Sequence, residues 1–289
     1  MRILPLLLIT IILLSGSFTT SHCQDNAGAD STIIYLEEDL EILEEIFNEF
    51  GEYLGPTSDL MLMLGGYFAK SPYVEQSLEH EPEALVVNLR EFDCTTFVES
   101  CLAIARTIRS GEHNFQQFTS ELKNIRYHEG IIDGYPSRIH YFSDWIHLNN
   151  QKQIIRDVSR EIGGSALNKE INFMSTHPAS YRQLSSDSSS VEIIARQELE
   201  ISSRQMYYLP KNRLPELESD LREGDIVGIT TSVKGLDISH VGILVRKSDR
   251  VHLLHASSMH RIVILSEETL EDYLANNKSA TGIMVARPL

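Results

Sequence analysis

The stretch Glu91-Phe92-Asp93-Cys94-Thr95-Thr96-Phe97-Val98-Glu99-Ser100-Cys101 reads as the opening turns of a helix with a cysteine at its N-terminus. Asp93 is a good N-cap, because its carboxylate can accept hydrogen bonds from the free N–H groups of the first turn. Cys94, Phe97, Val98, Cys101, Leu102, Ala105 and Ile108 then follow the i, i+3, i+4, i+7 rhythm of a buried stripe, and Gly111 is a natural stop. A thiol in the first turn lies at the positive end of the helix dipole, which favours thiolate. Taken alone, Cys94 reads more readily as a small apolar residue of that stripe. The reasons to read it otherwise lie about 150 residues downstream.

From Leu221 onward the pattern turns to β. The runs are Ile226 to Ile229, Ser239 to Arg246 and Val251 to Ala256, with shorter ones at Ile262 to Leu265 and Gly282 to Val285. Strand residues alternate faces, so His240, Gly242, Leu244 and Arg246 share one face. On the next strand His255 lies with Val251 and Leu253, while His252 points the other way. A hairpin therefore brings His240 and His255 side by side. A thiol nucleophile needs a base, and the base needs a third group to hold its ring. Cys94 as nucleophile, His240 as base and His255 as orienter satisfy that requirement, with the N–H groups of the helix start available to an oxyanion. The competing reading is zinc. It is disfavoured because the three ligands would sit on two strands and a helix tip without a close-spaced pair, and no cofactor is expected.

Upstream, residues 37–50 alternate acids with Leu40, Leu43, Ile46, Phe47 and Phe50 as an amphipathic helix. A second helix, capped by Ser58 or Asp59, is expected through Phe68, and a third over Asn114 to Ile125. Leu85 to Leu89 is a short strand candidate, and Ser185 to Ser190 a polar exposed loop. Residues 130–146 mix tyrosine, tryptophan, arginine, histidine and acid around turn signals. That mixture suits either a substrate-contacting loop or an ordered loop anchored by Trp145. A helical front half bearing the thiol thus meets an antiparallel sheet bearing the histidines, an α+β layout.

The 289 residues suffice for a sizeable core, and 42% hydrophobic with 23% charged residues is a globular composition. Against 25 Lys and Arg stand 41 Asp and Glu, a net charge of −16. Such a chain is a poor partner for nucleic acid or an anionic membrane surface. Arg2, the apolar run Ile3 to Leu14 and the small polar residues after it read as a signal peptide over residues 1–23. The run is too short for a membrane span. Cys23 as a lipid-modified residue is the alternative, but Thr20-Ser21-His22 is a poor match to a lipid-attachment site, so an exported, periplasmic protein is expected. Residues 24–31 read as a flexible N-terminus. The mature chain then keeps Cys94 and Cys101, which one helix would separate by roughly 10 Å, beyond the ~7 Å that a disulfide tolerates. Unpaired thiols in an oxidising compartment ask for a reason. Catalysis supplies one for Cys94 and burial one for Cys101.

Asp93-Cys94-Thr95-Thr96-Phe97-Val98 resembles the nucleophile motif of the NlpC-type cell-wall hydrolases, which have a papain-like fold. Gly224-Asp225-Ile226-Val227, Ser239-His240-Val241-Gly242-Ile243 and Leu254-His255-Ala256-Ser257 resemble three further motifs of that family, in its order. The Thr-Thr-Phe-Val-Glu continuation to Glu99 is similar to one branch, the N-acetylmuramoyl-L-alanine amidase-like group. So is the run Ser137, Arg138, His140, Tyr141, Asp144 and Trp145. The resemblance implies a papain-like core over residues 32–289, with a helical part at about 32–70 and substrate-groove elaborations at about 112–220. It implies hydrolysis of the amide between N-acetylmuramic acid and L-alanine in muropeptides. The 137–145 run would line the groove beside Tyr73, with Arg138 on a substrate carboxylate and Trp145 or Tyr141 stacked on sugar or peptide. Thr95-Thr96 departs from the Ser-Gly of the wider family, and Ala69-Lys70-Ser71 from the glycine-containing turn expected before Pro72-Tyr73. The two alternatives are an endopeptidase cutting within the stem peptide and a cell-wall-binding module with an inactive site.

Overall fold

A computed structural model describes residues 33–289 together with the backbone of residues 22–23. The signal peptide and flexible N-terminus expected over 1–31 otherwise lie outside the described residues. In chain order the elements are β1 (His22–Cys23), β2 (Ile33–Tyr35), α1 (Glu37–Phe50), α2 (Thr57–Tyr67), β3 (Leu85–Val86), α3 (Cys94–Ser110), α4 (Phe115–Arg126), α5 (Phe142–Gln151), β4 (Ile155–Asp157) and β5 (Ser165–Leu167). They continue as α6 (Phe173–Thr176), α7 (Ser188–Ser203), β6 (Met206–Pro210), α8 (Leu214–Leu217), β7 (Ile226–Thr231), β8 (Ile238–Lys247), β9 (Arg250–Ser257), β10 (Ile262–Thr269), α9 (Leu270–Asn276) and β11 (Ala280–Pro288).

The helix that carries Cys94 forms as its sequence dictates. The Asp93 carboxylate accepts from the N–H groups of Thr95 (2.9 Å) and Thr96 (2.7 Å), and the Thr96 hydroxyl accepts in return from Asp93 N–H at 2.9 Å. Gly111 closes the helix in the left-handed conformation, φ +77°. Helix α1 spans the expected residues and turns Leu43 and Ile46 inward. Helix α2 starts one residue before the expected cap, after Pro56, without a side-chain cap. The Asp59 carboxylate is taken instead by the Tyr53 hydroxyl at 2.6 Å. The polar tract around Ser185 to Ser190 is not a loop throughout. Asp187 accepts from Ser189 and Ser190 N–H and starts α7, whose Ile194 and Ile201 are buried.

The main sheet has strand order β10-β9-β8-β7-β11-β6-β5, with β4 also on β11, and every pairing is antiparallel. Both faces are covered. Val241, Ile243, Leu254, Ala256 and Val263 pack with α2 and α3 on one side, around Phe92, Phe97, Leu64 and Phe68. Leu244, Leu253, Val227, Ile229 and Val285 pack with Leu270 and Leu274 of α9 on the other. This mixed α+β layout, with the Cys94 helix packed on an antiparallel sheet, is the one the sequence leads one to expect. Among the described residues no helix is long and apolar enough to cross a membrane.

Residues 70–74 form a strap between α2 and the sheet. Lys70 N–H donates to Val263, Val263 N–H to Ser71 and Tyr73 N–H to Arg261; Val74 N–H donates to Phe92 and Phe92 N–H to Pro72. Tyr73 is thereby fixed between β10 and the residue two before Cys94.

Candidate active site

Cys94 is partly exposed at the tip of α3. The Val241 backbone and the Thr95 side chain stand near its sulfur and favour the thiolate. Val241 faces the α3 side of the sheet, and its neighbour His240 lies against Tyr273, whose phenol also feels the charge of Cys94. The helix tip therefore meets the histidine strand at its backbone, one residue from the histidine. His240 Nε2 and His255 Nδ1 lie 2.6 Å apart, with the rings edge-on at 88°. Gly242 makes this possible. A Cβ there would lie 2.7 Å from Leu253 Cδ1, 2.9 Å from the Leu254 carbonyl and 3.1 Å from His255 Cβ.

With Nε2 engaged by His255, the nitrogen of His240 left to accept a thiol proton is Nδ1. Burial keeps His240 neutral, lowering its pKa to about 4. Burial, with the charges of His240 and His260, lowers His255 to about 3. Burial and the Asp93 carboxylate push the Cys94 thiol up to about 12, against the lowering by its hydrogen bonds. The expected bias toward thiolate is thus reversed, because desolvation of a thiolate outweighs the partial charge of one helix end. At rest the thiol and both imidazoles are neutral, so any proton transfer to His240 belongs to the attack itself.

Tyr273 of α9 joins the site. Its ring stacks on His240 (6.3 Å, 23°) and meets His255 edge-on (5.6 Å, 85°). Burial, then the charge of Cys94, raises its phenol to about 12. Nothing in the run Leu270-Glu271-Asp272-Tyr273-Leu274 marks it as part of a site. The available signal was the Thr269 cap, whose hydroxyl accepts from Asp272 N–H at 3.2 Å and starts a helix beside the histidine strands. Tyr73 also lies by the nucleophile. Burial and the charges of Cys94 and Asp93 raise its phenol to about 12.

Most of the residues expected to line a groove, Ser137 to Trp145, are engaged by other parts of the chain. Arg138 is buried, bonding Glu79 at 2.9 Å and the Leu78 carbonyl at 3.2 Å, with Glu83 at 3.6 Å, so it is not free for a substrate carboxylate. Trp145 is 1% exposed and stacks on Phe142 at 4.7 Å. The Tyr141 hydroxyl donates to Glu198 (2.6 Å) and accepts from Met174 N–H (2.9 Å). Asp144 is buried against Arg204 and His128. His140 Nε2 bonds the Tyr135 carbonyl at 2.9 Å, and burial lowers its pKa to about 3. The Ser137 hydroxyl donates to Gly134 and accepts from Asp133 N–H, closing a turn. These partners lie mostly far away in sequence, and Arg138, Tyr141, Asp144 and Trp145 are buried among them. Elsewhere, Asp225 of the Gly-Asp-Ile-Val motif is structural, holding Arg287 through two 2.8 Å bonds. Among the described residues no three or more His, Cys, Asp or Glu side chains converge as a metal site requires.

The family model described as N-acetylmuramoyl-L-alanine amidase-like matches residues 63–283. A crystal structure named as an N-acetylmuramoyl-L-alanine amidase from Bacteroides uniformis is 37% identical. The match covers 81% of this chain and 99% of that one, with a TM-score of 0.78. A structure from Bacteroides fragilis, named for xylanase activity, is 38% identical over 78% of this chain and 99% of that one, TM-score 0.75. A Legionella pneumophila protein shares the fold at 20% identity, over 88% of this chain and 95% of that one, TM-score 0.66. No curated protein matches the chain.

Proposed function

The chain belongs to the N-acetylmuramoyl-L-alanine amidase-like family, and we propose that it is an exported cysteine amidase. Its substrate is the amide between the lactyl group of N-acetylmuramic acid and L-alanine in peptidoglycan fragments, and its core is papain-like. The observation that carries this reading is the 2.6 Å contact between His240, next to Val241 on β8, and His255 on β9, with the Val241 backbone near the Cys94 sulfur. A signal peptide over residues 1–23 agrees with a periplasmic substrate.

The chemistry follows from the geometry. Cys94 Sγ attacks the lactyl carbonyl carbon as its proton passes to His240 Nδ1, and the new imidazolium is held by His255 through Nε2. Backbone N–H groups at the start of α3 receive the oxyanion. Collapse breaks the C–N bond, with the His240 proton leaving on the α-amine of L-alanine, and a thioester remains on Cys94. Water, deprotonated by His240, then attacks the thioester. The products are the free muramic acid carboxyl, the peptide and the restored thiol.

The name of the Bacteroides fragilis structure raises glycoside hydrolysis as a second reading. Glycosidases mostly work with two carboxyl groups flanking the bond. Here the site centres on a thiol and a contacting pair of imidazoles, and the nearby Asp93 carboxylate is taken up in capping α3, which favours the amidase. The test is digestion of defined muropeptides with product masses read out. A free peptide beginning with L-alanine is expected, and the Cys94→Ala variant is expected to lose at least a thousandfold in rate, roughly the scale of deleting a nucleophile. Cleavage within the stem, or activity retained by Cys94→Ala, overturns the proposal.

A further inference from the structure

With Arg138 sequestered, a cation that stands beside Tyr73 is Arg261, which closes the turn between β9 and β10. Its backbone is fixed on both sides. Its N–H donates to Ser257 at 2.8 Å, and its carbonyl accepts from Tyr73 N–H at 2.9 Å. Its guanidinium lies over the Tyr73 ring, 4.9 Å from the centroid, and the Tyr73 phenol is within charge range of Cys94. A guanidinium resting on an aromatic face keeps its N–H edge free for a planar acceptor.

The arginines deeper in the fold are spent. Arg126 is buried with Glu99 at 2.7 Å, and Arg138 is held by Glu79 and Glu83. Arg261 has one acidic neighbour among the described residues, Glu75 at 3.5 Å, and both side chains are more than half exposed, 60% and 64%. So exposed a pair contributes little and exchanges easily for a ligand. A chain of net charge −16 also repels an anionic substrate unless a local cation offsets the field.

We propose that Arg261, backed by Tyr73, is a carboxylate subsite that takes the free α-carboxylate of the stem-peptide residue following L-alanine. This rests on the amidase reading and adds a selectivity to it. In muropeptides that carboxyl is either free or converted to its carboxamide, and a guanidinium fork pairs bidentately with the former only. The enzyme should therefore prefer the free acid.

The experiment compares two muropeptides that differ only in this carboxylate or carboxamide, with wild type, Arg261→Ala, Arg261→Lys and Glu75→Gln. Binding of both to the Cys94→Ala protein is measured by calorimetry alongside. Wild type is expected to favour the free acid about tenfold in kcat/KM, the scale of one charge-assisted pair. Arg261→Ala should bring the ratio to near one. Arg261→Lys should restore part of it, and Glu75→Gln should raise it. The calorimetric preference should follow the same order when Arg261 is replaced in the Cys94→Ala background. A ratio that survives Arg261→Ala, or that is absent from wild type while cleavage proceeds, overturns the subsite and leaves the amidase intact. Neither cleavage nor binding of either muropeptide overturns both.

Discussion

His240 Nε2 lies 2.6 Å from His255 Nδ1, and both imidazoles are neutral because burial lowers their pKa values to about 4 and about 3. A base poised in this way is switched off only in acid. Protonation of His240 removes its acceptor. The kcat/KM profile is therefore expected to fall as pH drops through about 4 and to stay level from there into the neutral range. Rates measured in a stability-checked buffer series decide the point. A midpoint near the ordinary imidazole value, about 6.5, would contradict the assignment.

Cys94, pushed up to about 12 by burial and Asp93, should alkylate slowly. Iodoacetamide consumption at pH 7 is expected to be slow, and to rise roughly tenfold per pH unit up to about pH 9, following the thiolate fraction. A rate already level above neutrality would show a thiolate at rest.

The Tyr273 ring packs against both imidazoles. Tyr273→Phe keeps that ring and should retain kcat within about threefold. Tyr273→Leu removes it, lets water reach His240, and should cost about ten- to a hundredfold in kcat, the usual scale of a general base out of position. It should also move the acid limb upward, since hydration raises a histidine held low by desolvation. Equal kinetics and equal pH profiles for the two variants would remove Tyr273 from the site.

Behind the nucleophile, Glu99 and Arg126 form a buried pair at 2.7 Å, and Arg126 also donates to the Val86 carbonyl at 2.7 Å. Glu99→Ala leaves a buried guanidinium without its counter-charge, so a loss of about 3–5 kcal/mol is expected. The urea midpoint measures it. A loss below about 1 kcal/mol, the scale of an exposed pair, would mean that Arg126 finds another acceptor.

Much of this fold was legible because its signals are local. The Asp93 cap, the apolar stripe behind it and Gly111 are read within α3, and alternation along β8 and β9 places His240 and His255 on one face. What was not legible depends on partners distant in sequence. Arg138 and Asp144 look like groove residues until Glu79, Glu83 and Arg204 are brought against them, and a charged residue in sequence carries no mark of being paired. Helix α9 follows directly on β10, so its short run gave no separate period to read, and Tyr273 went with it. The protonation of Cys94 needed burial, which a helix-end argument omits.

The strap of residues 70–74 is laced on one edge to β10 and on the other to the turn just ahead of α3. Its tyrosine cannot swing away from the nucleophile without unzipping backbone pairs on both sides. The backbone beside Cys94 is thus a riveted plate rather than a hinge. Hydrogen-exchange protection of the Val74, Phe92 and Val263 amides should be the same with and without a bound ligand.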